Sequence, residues 1–336
     1  MKNFLKFLFI FLIVFESASF IFTKFEMLTF NEKPSYSFDD ETFFDWIVDN
    51  DDGSKSHKEN YKTKHTSRCF DVNYEFNNVG ARDDEDYFFE DPKKSIVLIG
   101  DSFAEGYGVN LENTFAKVIE KKIDKKILNF GISDTNPKSQ LYRYINYDSK
   151  FNYDELIYFF LPHNDYLNLN NNDEKNNEKK SFFKNLNLLN YKTKIADILS
   201  RFTYSYNFIR SASHVLDINL HKNFKDQSYF YEDVKNINYT FDFVENILNF
   251  KQVKSYIVII PTIYDINNYL DSNINYKKLY WYKELNKLAS RNNSTIIDLM
   301  EYIDFKNKHK YFHSCDGHWS VKGNLFAAKT FLEFYN

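Results

Sequence analysis

Ser102 stands in Gly100-Asp101-Ser102-Phe103, directly behind the apolar run Ser95-Ile-Val-Leu-Ile99. A hydroxyl between a strand's carboxyl end and a helix start is exposed and meets unpaired N–H groups that favour negative charge. His318 stands in Asp316-Gly317-His318-Trp319, just ahead of the last amphipathic stretch, Ser320 to Tyr335. A carboxylate two residues from an imidazole provides two members of the carboxylate, imidazole and hydroxyl series that activates serine for acyl transfer. Gly131 follows a second apolar run, and Asn164 lies in Pro162-His163-Asn164-Asp165 after a third. A glycine lets a backbone N–H approach a substrate, and a neutral amide suits an oxyanion. Each residue also has a plainer explanation. Ser102 could be a simple helix cap, Gly131 and Asn164 turn residues, and Asp316 with His318 a metal-binding pair, although no HExxH helix or further ligand-spaced cluster accompanies them. Asp101 reads as a brace for its loop, and His163 and His313 as polar loop residues. The joint placement favours chemistry: of 8 glycines, six (100, 106, 108, 131, 317 and 323) fall in these segments.

The elements that must position these residues are short apolar runs, each ending at Gly, Pro or Asp and followed by an amphipathic stretch, the pattern of a parallel α/β sheet. Five are present: 95–99, 126–130, 156–160, 256–260 and 295–298. Ligands of such sheets bind beyond the strands' carboxyl ends, where the candidate residues lie. Between the third and fourth runs the alternation fails for about 90 residues, too long for an ordinary connection. An insertion, 168–250, is expected there, opening with the polar stretch Asn168 to Lys180 and continuing with helical patterns at 195–208 and 234–250; a cap over the site and a remote decoration are both open readings. Residues 24–93 form a polar, acidic N-terminal extension, with one half-buried strand expected at Cys69 to Phe76. Ahead of it, Lys2 and Lys6 precede an apolar run that approaches the roughly 20 residues needed to span a bilayer, with Glu16 a costly charge inside it. Segment 1–23 is expected to be a signal anchor, with a signal peptide cleaved near Ser17-Ala18-Ser19 or a buried core helix as alternatives; in either export case the remainder is extracytoplasmic.

A formal charge of -4 gives no basic field for a nucleic-acid partner. Cys69 and Cys315 are too few for a four-ligand zinc site, and in an oxidising compartment they could pair or remain free thiols. No metal or cofactor is expected.

On Ser102, Gly131, Asn164 and His318, the chain resembles the SGNH (GDSL-like) hydrolases over about Ser95 to Leu169 and Tyr256 to Tyr335; the Gly-Asp-Ser-Phe block with Gly106-Tyr-Gly-Val109 is its most specific part. Through Asn77-Asn-Val-Gly-Ala-Arg82 it is similar to exported, anchored members. The resemblance implies a flavodoxin-like three-layer α/β/α fold with a five-stranded, mainly parallel sheet in domain 94–335, and a nucleophile outside any GxSxG elbow; none occurs in this sequence. It implies Ser102 as nucleophile, His318 as base oriented by Asp316, and an oxyanion hole from the Ser102 and Gly131 N–H groups and the Asn164 amide. Pro162 replaces the family's usual Gly, and one residue rather than two separates Asp316 from His318. That Asp-x-His-Trp block is similar to alginate O-acetyltransferase-like members. That block points toward acyl transfer to a polysaccharide, but with no acyl-donor site visible in the sequence, hydrolysis of an acyl, chiefly acetyl, ester on an acylated small molecule or polysaccharide is expected ahead of it. Acyl transfer to a polysaccharide and an inactive carbohydrate-binding protein are the alternatives, and the oligomeric state is left open.

Overall fold

The structure, a computed structural model, describes residues 2–24, 45–67, 70–167, 199, 202–206, 208–209, 229–272, 274–313 and 316–335. At its centre is a five-stranded parallel sheet of β5 (Ser95–Ile99), β6 (Ile127–Asn129), β7 (Tyr153–Phe160), β8 (Lys254–Ile259) and β9 (Ser294–Asp298), in the order β6-β5-β7-β8-β9. All five expected runs are strands. The central strands are continuously buried, from Ile96 to Ile99, Leu156 to Phe160 and Tyr256 to Ile259, as strands covered on both faces require, whereas edge strand β9 is half-buried over Ser294 to Ile296.

Helices α3 (Phe115–Glu120) and α8 (Val321–Phe334) pack together on one side; on the other, α4 (Pro137–Asn146) packs against α5 (Val234–Phe250), which also meets α7 (Tyr280–Arg291), and α6 (Ile263–Asp271) follows β8. Asn324 of α8 ties the first pair by accepting the Phe115 N–H at 3.1 Å. The arrangement is the three-layer, flavodoxin-like one. The strand order reverses beside β5, so the carboxyl ends of β5 and β7 open the crevice in which such sheets bind ligands.

Between β7 and β8, residues 168–198 and most of 199–228 lie outside the described residues, and with them the polar stretch and any cap. The last part of that stretch is α5, capped by Asp233. Its Ile237, Phe241, Val244, Ile247 and Leu248 are buried in the sheet's own core.

The N-terminal extension is a packed layer of two antiparallel hairpins, β1 (Ile47–Asp49) with β2 (Lys55–His57) and β3 (Lys62–Thr66) with β4 (Asp71–Glu75). Trp46, Phe70, Val72, Tyr74 and Phe76 form a second core with Tyr107, while Val79, Ala81 and Tyr87 join the main one. Cys69 and Cys315, and so their pairing, lie outside the described residues.

Helix α1 (Lys2–Lys24) contains Asn3–Phe22, long and apolar enough to cross a membrane. Glu16, its one carboxylate, accepts the Tyr204 N–H at 2.6 Å and the Ser205 N–H at 3.0 Å.

Candidate active site

Ser102 is the first residue of a short helix, α2 (Ser102–Glu105), and is 7% exposed. Asp101 caps this helix: Oδ1 accepts the Phe103 N–H at 3.0 Å and Oδ2 the Asn164 amide at 3.3 Å, the bracing expected of it. His318 arrives from the opposite end of the sequence on a closed loop. A bridge joins Phe312 to Trp319, and the His313 N–H donates to the His318 carbonyl at 2.8 Å. Buried Trp319 anchors the loop against Phe103 and Phe159.

These loops meet. His318 Nε2 lies 2.7 Å from Ser102 Oγ, and Nδ1 lies 2.8 Å from Asp316 Oδ1. The same carboxylate oxygen accepts the His318 backbone N–H at 2.7 Å. With the Asp316 carboxylate holding a proton on Nδ1, Nε2 is left to accept from the serine hydroxyl. The side chains of His318 and Asp316 are 26% and 21% exposed, so the site is reached by solvent while Ser102 is buried. Burial pushes the imidazole's pKa down, but Asp316, with Asp101 and Glu105 nearby, pushes it up further, and it ends above the ordinary histidine value. Burial alone would raise the Asp316 carboxyl; the imidazolium and the two N–H donors of His318 hold it well below the usual carboxylate range. The arrangement can take a proton from a serine hydroxyl and return it to a leaving group.

The oxyanion donors are less evenly placed. Among the described residues no acceptor takes the Ser102 N–H, and Asn164, exposed at the mouth, keeps one amide hydrogen beyond its contact with Asp101. Gly131 sits at the end of β6 as expected, but its N–H donates to Asn129 Oδ1 at 3.0 Å. A Cβ there would stand 2.3 Å from the Glu105 N, so this glycine serves close packing against α2. Further along the loop, Ile132 donates to the Gly100 carbonyl and Ser133 to Glu105 Oε2. Asp134, at φ 59, has the first N–H in the loop with no acceptor among the described residues.

His163 and His313 are not joined to Ser102. The first stacks on Tyr264 with centroids 6.1 Å apart, and the second packs on Phe70, its pKa pushed by burial to about 4. A groove of about 520 Å³ beside α8, lined by Lys310, Lys322 and Phe326, contains none of the candidate residues.

Fold and site together describe an SGNH-type α/β/α hydrolase. The GDSL-like Lipase/Acylhydrolase family model matches residues 96–331, and the chain belongs to that family. It is an ester hydrolase by that membership. None of the curated proteins matches it. Among solved structures it is similar to a lipase/acylhydrolase from Enterococcus faecalis at 13% identity and TM-score 0.42, covering 72% of this chain and 95% of that one. It is similar to a lipolytic G-D-S-L protein from Veillonella parvula at 13% identity and TM-score 0.39, over 72% and 98%. An acetyl xylan esterase, AlAXEase, is similar at 15% identity and TM-score 0.40, over 72% and 100%.

Proposed function

We propose that the chain is a membrane-tethered esterase that removes a short acyl group, chiefly acetyl, from an extracytoplasmic carbohydrate, with Ser102 as nucleophile. The observation that carries the serine mechanism is the continuous series Ser102 Oγ, His318 Nε2, His318 Nδ1 and Asp316 Oδ1, with contacts of 2.7 and 2.8 Å. Ser102 Oγ attacks the ester carbonyl as its proton passes to His318. The tetrahedral oxyanion is met by the Ser102 N–H and the Asn164 amide, with the Gly131 N–H, which donates to Asn129 Oδ1 at 3.0 Å, as the third donor of the set. Collapse breaks the ester C–O bond and sends the imidazolium proton to the departing alcohol; a water activated by the same imidazole then frees the acid and Ser102. Support for the anchor is the 20-residue apolar span Asn3–Phe22, with Lys2 and Lys6 at its cytoplasmic end.

The carbohydrate is supported by export and by the Asp316-Gly317-His318-Trp319 block. The same block favours a second reading, transfer of the acyl group to a polysaccharide hydroxyl instead of water. Release of acetate from a small acetyl ester by wild type and Ser102→Ala tests the mechanism, with turnover expected only in the former; equal turnover would remove Ser102 from it. Adding a polysaccharide acceptor separates the two readings: acyl groups recovered on the polymer mean transfer, and acetate alone means hydrolysis.

A further inference from the structure

The loop behind Ser102 is held by the N-terminal extension. Arg82, 1% exposed, lays its guanidinium on the Tyr74 ring at 3.7 Å and donates to the carbonyls of Glu105, Gly106 and Val109. The Tyr74 hydroxyl accepts the Gly108 N–H at 3.0 Å. Gly108 sits at φ 72, where a Cβ would stand 2.8 Å from both Phe70 and His313, so hairpin and loop are in direct contact. Between those fixed points lies Tyr107, its N–H donating to the Ser102 carbonyl at 3.0 Å. Its ring lies on the face of His318, centroids 3.9 Å apart and planes 23° apart, and His65 and Phe70 meet the same ring edge-on at 4.6 and 5.6 Å. Phe103 meets the same imidazole at 5.1 Å.

We propose that Tyr107 is a positioning residue for the Asp316–His318 pair, and that the hairpin β3–β4 is the wall that keeps it in place. The proposal rests on His318 being the base for Ser102. A planar imidazole keeps both of its hydrogen bonds only while its plane is fixed, and a flat ring 3.9 Å away fixes that plane. The negative face of an aromatic ring also favours the imidazolium that forms when Ser102 gives up its proton. The other groups facing His318 are the carboxylates of Asp316, Asp101 and Glu105 together with His65 and His313. Burial holds both of these histidines neutral, with pKa values pushed to about 3 and about 4.

The test compares Tyr107→Leu, Tyr107→Phe and His318→Ala in the full chain, reading kcat, KM and the acid limb of the pH profile on a small acetyl ester. Tyr107→Leu is expected to lower kcat by about 10- to 100-fold with KM within about twofold, since misplacement of a catalytic group by about 1 Å can cost about 100-fold. Its acid limb moves to lower pH, because the imidazolium loses its ring. Tyr107→Phe keeps the stack and is expected within about threefold of wild type with the limb in place. A Tyr107→Leu enzyme with wild-type kcat and limb overturns the proposal; so does an equal loss in both variants with the limb unmoved. Near-normal turnover in His318→Ala would instead sink the base assignment beneath it. If Tyr107→Leu does not fold, His65→Leu loosens the same stack, and an unchanged kcat and limb in that variant overturns the wall.

Discussion

The central sheet and the hairpin layer are both buried, yet they are made of different material. Strands β5, β7 and β8 bury Ile96, Val97, Leu156, Ile157, Ile257 and Val258 completely, side chains whose contribution is area removed from water. The hairpin layer and its contact with α2 bury His57, His65, Arg82 and Glu105. His57 Nε2 lies 3.3 Å from Glu105 Oε2. Burial would raise the Glu105 carboxyl; His57, the Ser133 N–H and Arg82 bring it down to about 2. Such groups contribute direction: each fixes a partner at one distance, and unpairing one is costly. The sheet therefore sets how stable the enzyme is, and the hairpin layer sets how well its loops are aimed.

That division can be broken or sharpened in order of expected effect. Ser102→Ala touches neither layer and is expected to lower turnover by roughly 10⁴-fold or more while leaving the melting temperature nearly unchanged, read by steady-state kinetics and calorimetry. Asp316→Asn leaves the loop in place but loses the charge that orients His318, for an expected loss of about 10² to 10⁴ in kcat. Asn164→Ala removes one oxyanion donor and is expected to cost about 10²- to 10³-fold in kcat, about 2.7 to 4 kcal/mol of barrier. Gly131→Ala should act differently from Asn164→Ala, through lost stability, because its Cβ meets the backbone of α2.

Ile157→Ala against Arg82→Met is the direct contrast. The first should lower unfolding free energy by about 2 to 5 kcal/mol with kcat per folded molecule intact. The second strands three carbonyls and is expected to lower kcat as well, by about tenfold, with part of the cost seen in stability. An Arg82→Met enzyme of normal kcat would erase the distinction between the layers. The smallest effect is in pH. Because His318 must be neutral to accept the proton and its pKa is raised, the acid limb should lie above the roughly 6.5 of free histidine; a limb below that value would contradict the carboxylate pairing.

What was legible in the sequence follows the same boundary. The inner strands stand out because strands buried on both faces are uninterrupted apolar runs; Ser102 and Asn164 stand out because the chain punctuates those runs at the sheet's carboxyl edge, and Asp316 with His318 by their own spacing just ahead of the last helix. The half-buried strand expected at Cys69 to Phe76 appears as β4, since its alternation reports one wet face. Tyr107 and Arg82 were not legible as residues of this region. An aromatic in a turn and an arginine ahead of a strand have no period; their roles arise from partners distant along the chain, His318 for Tyr107 and Glu105 to Val109 for Arg82.

The most direct measurement is to expose the folded protein to a fluorophosphonate and locate the adduct by peptide mass. One phosphonyl group on the peptide containing Ser102, forming far more slowly in His318→Ala, is the expected result. An adduct confined to another residue, or a folded protein that never takes the label, would contradict a serine made nucleophilic by the imidazole beside it.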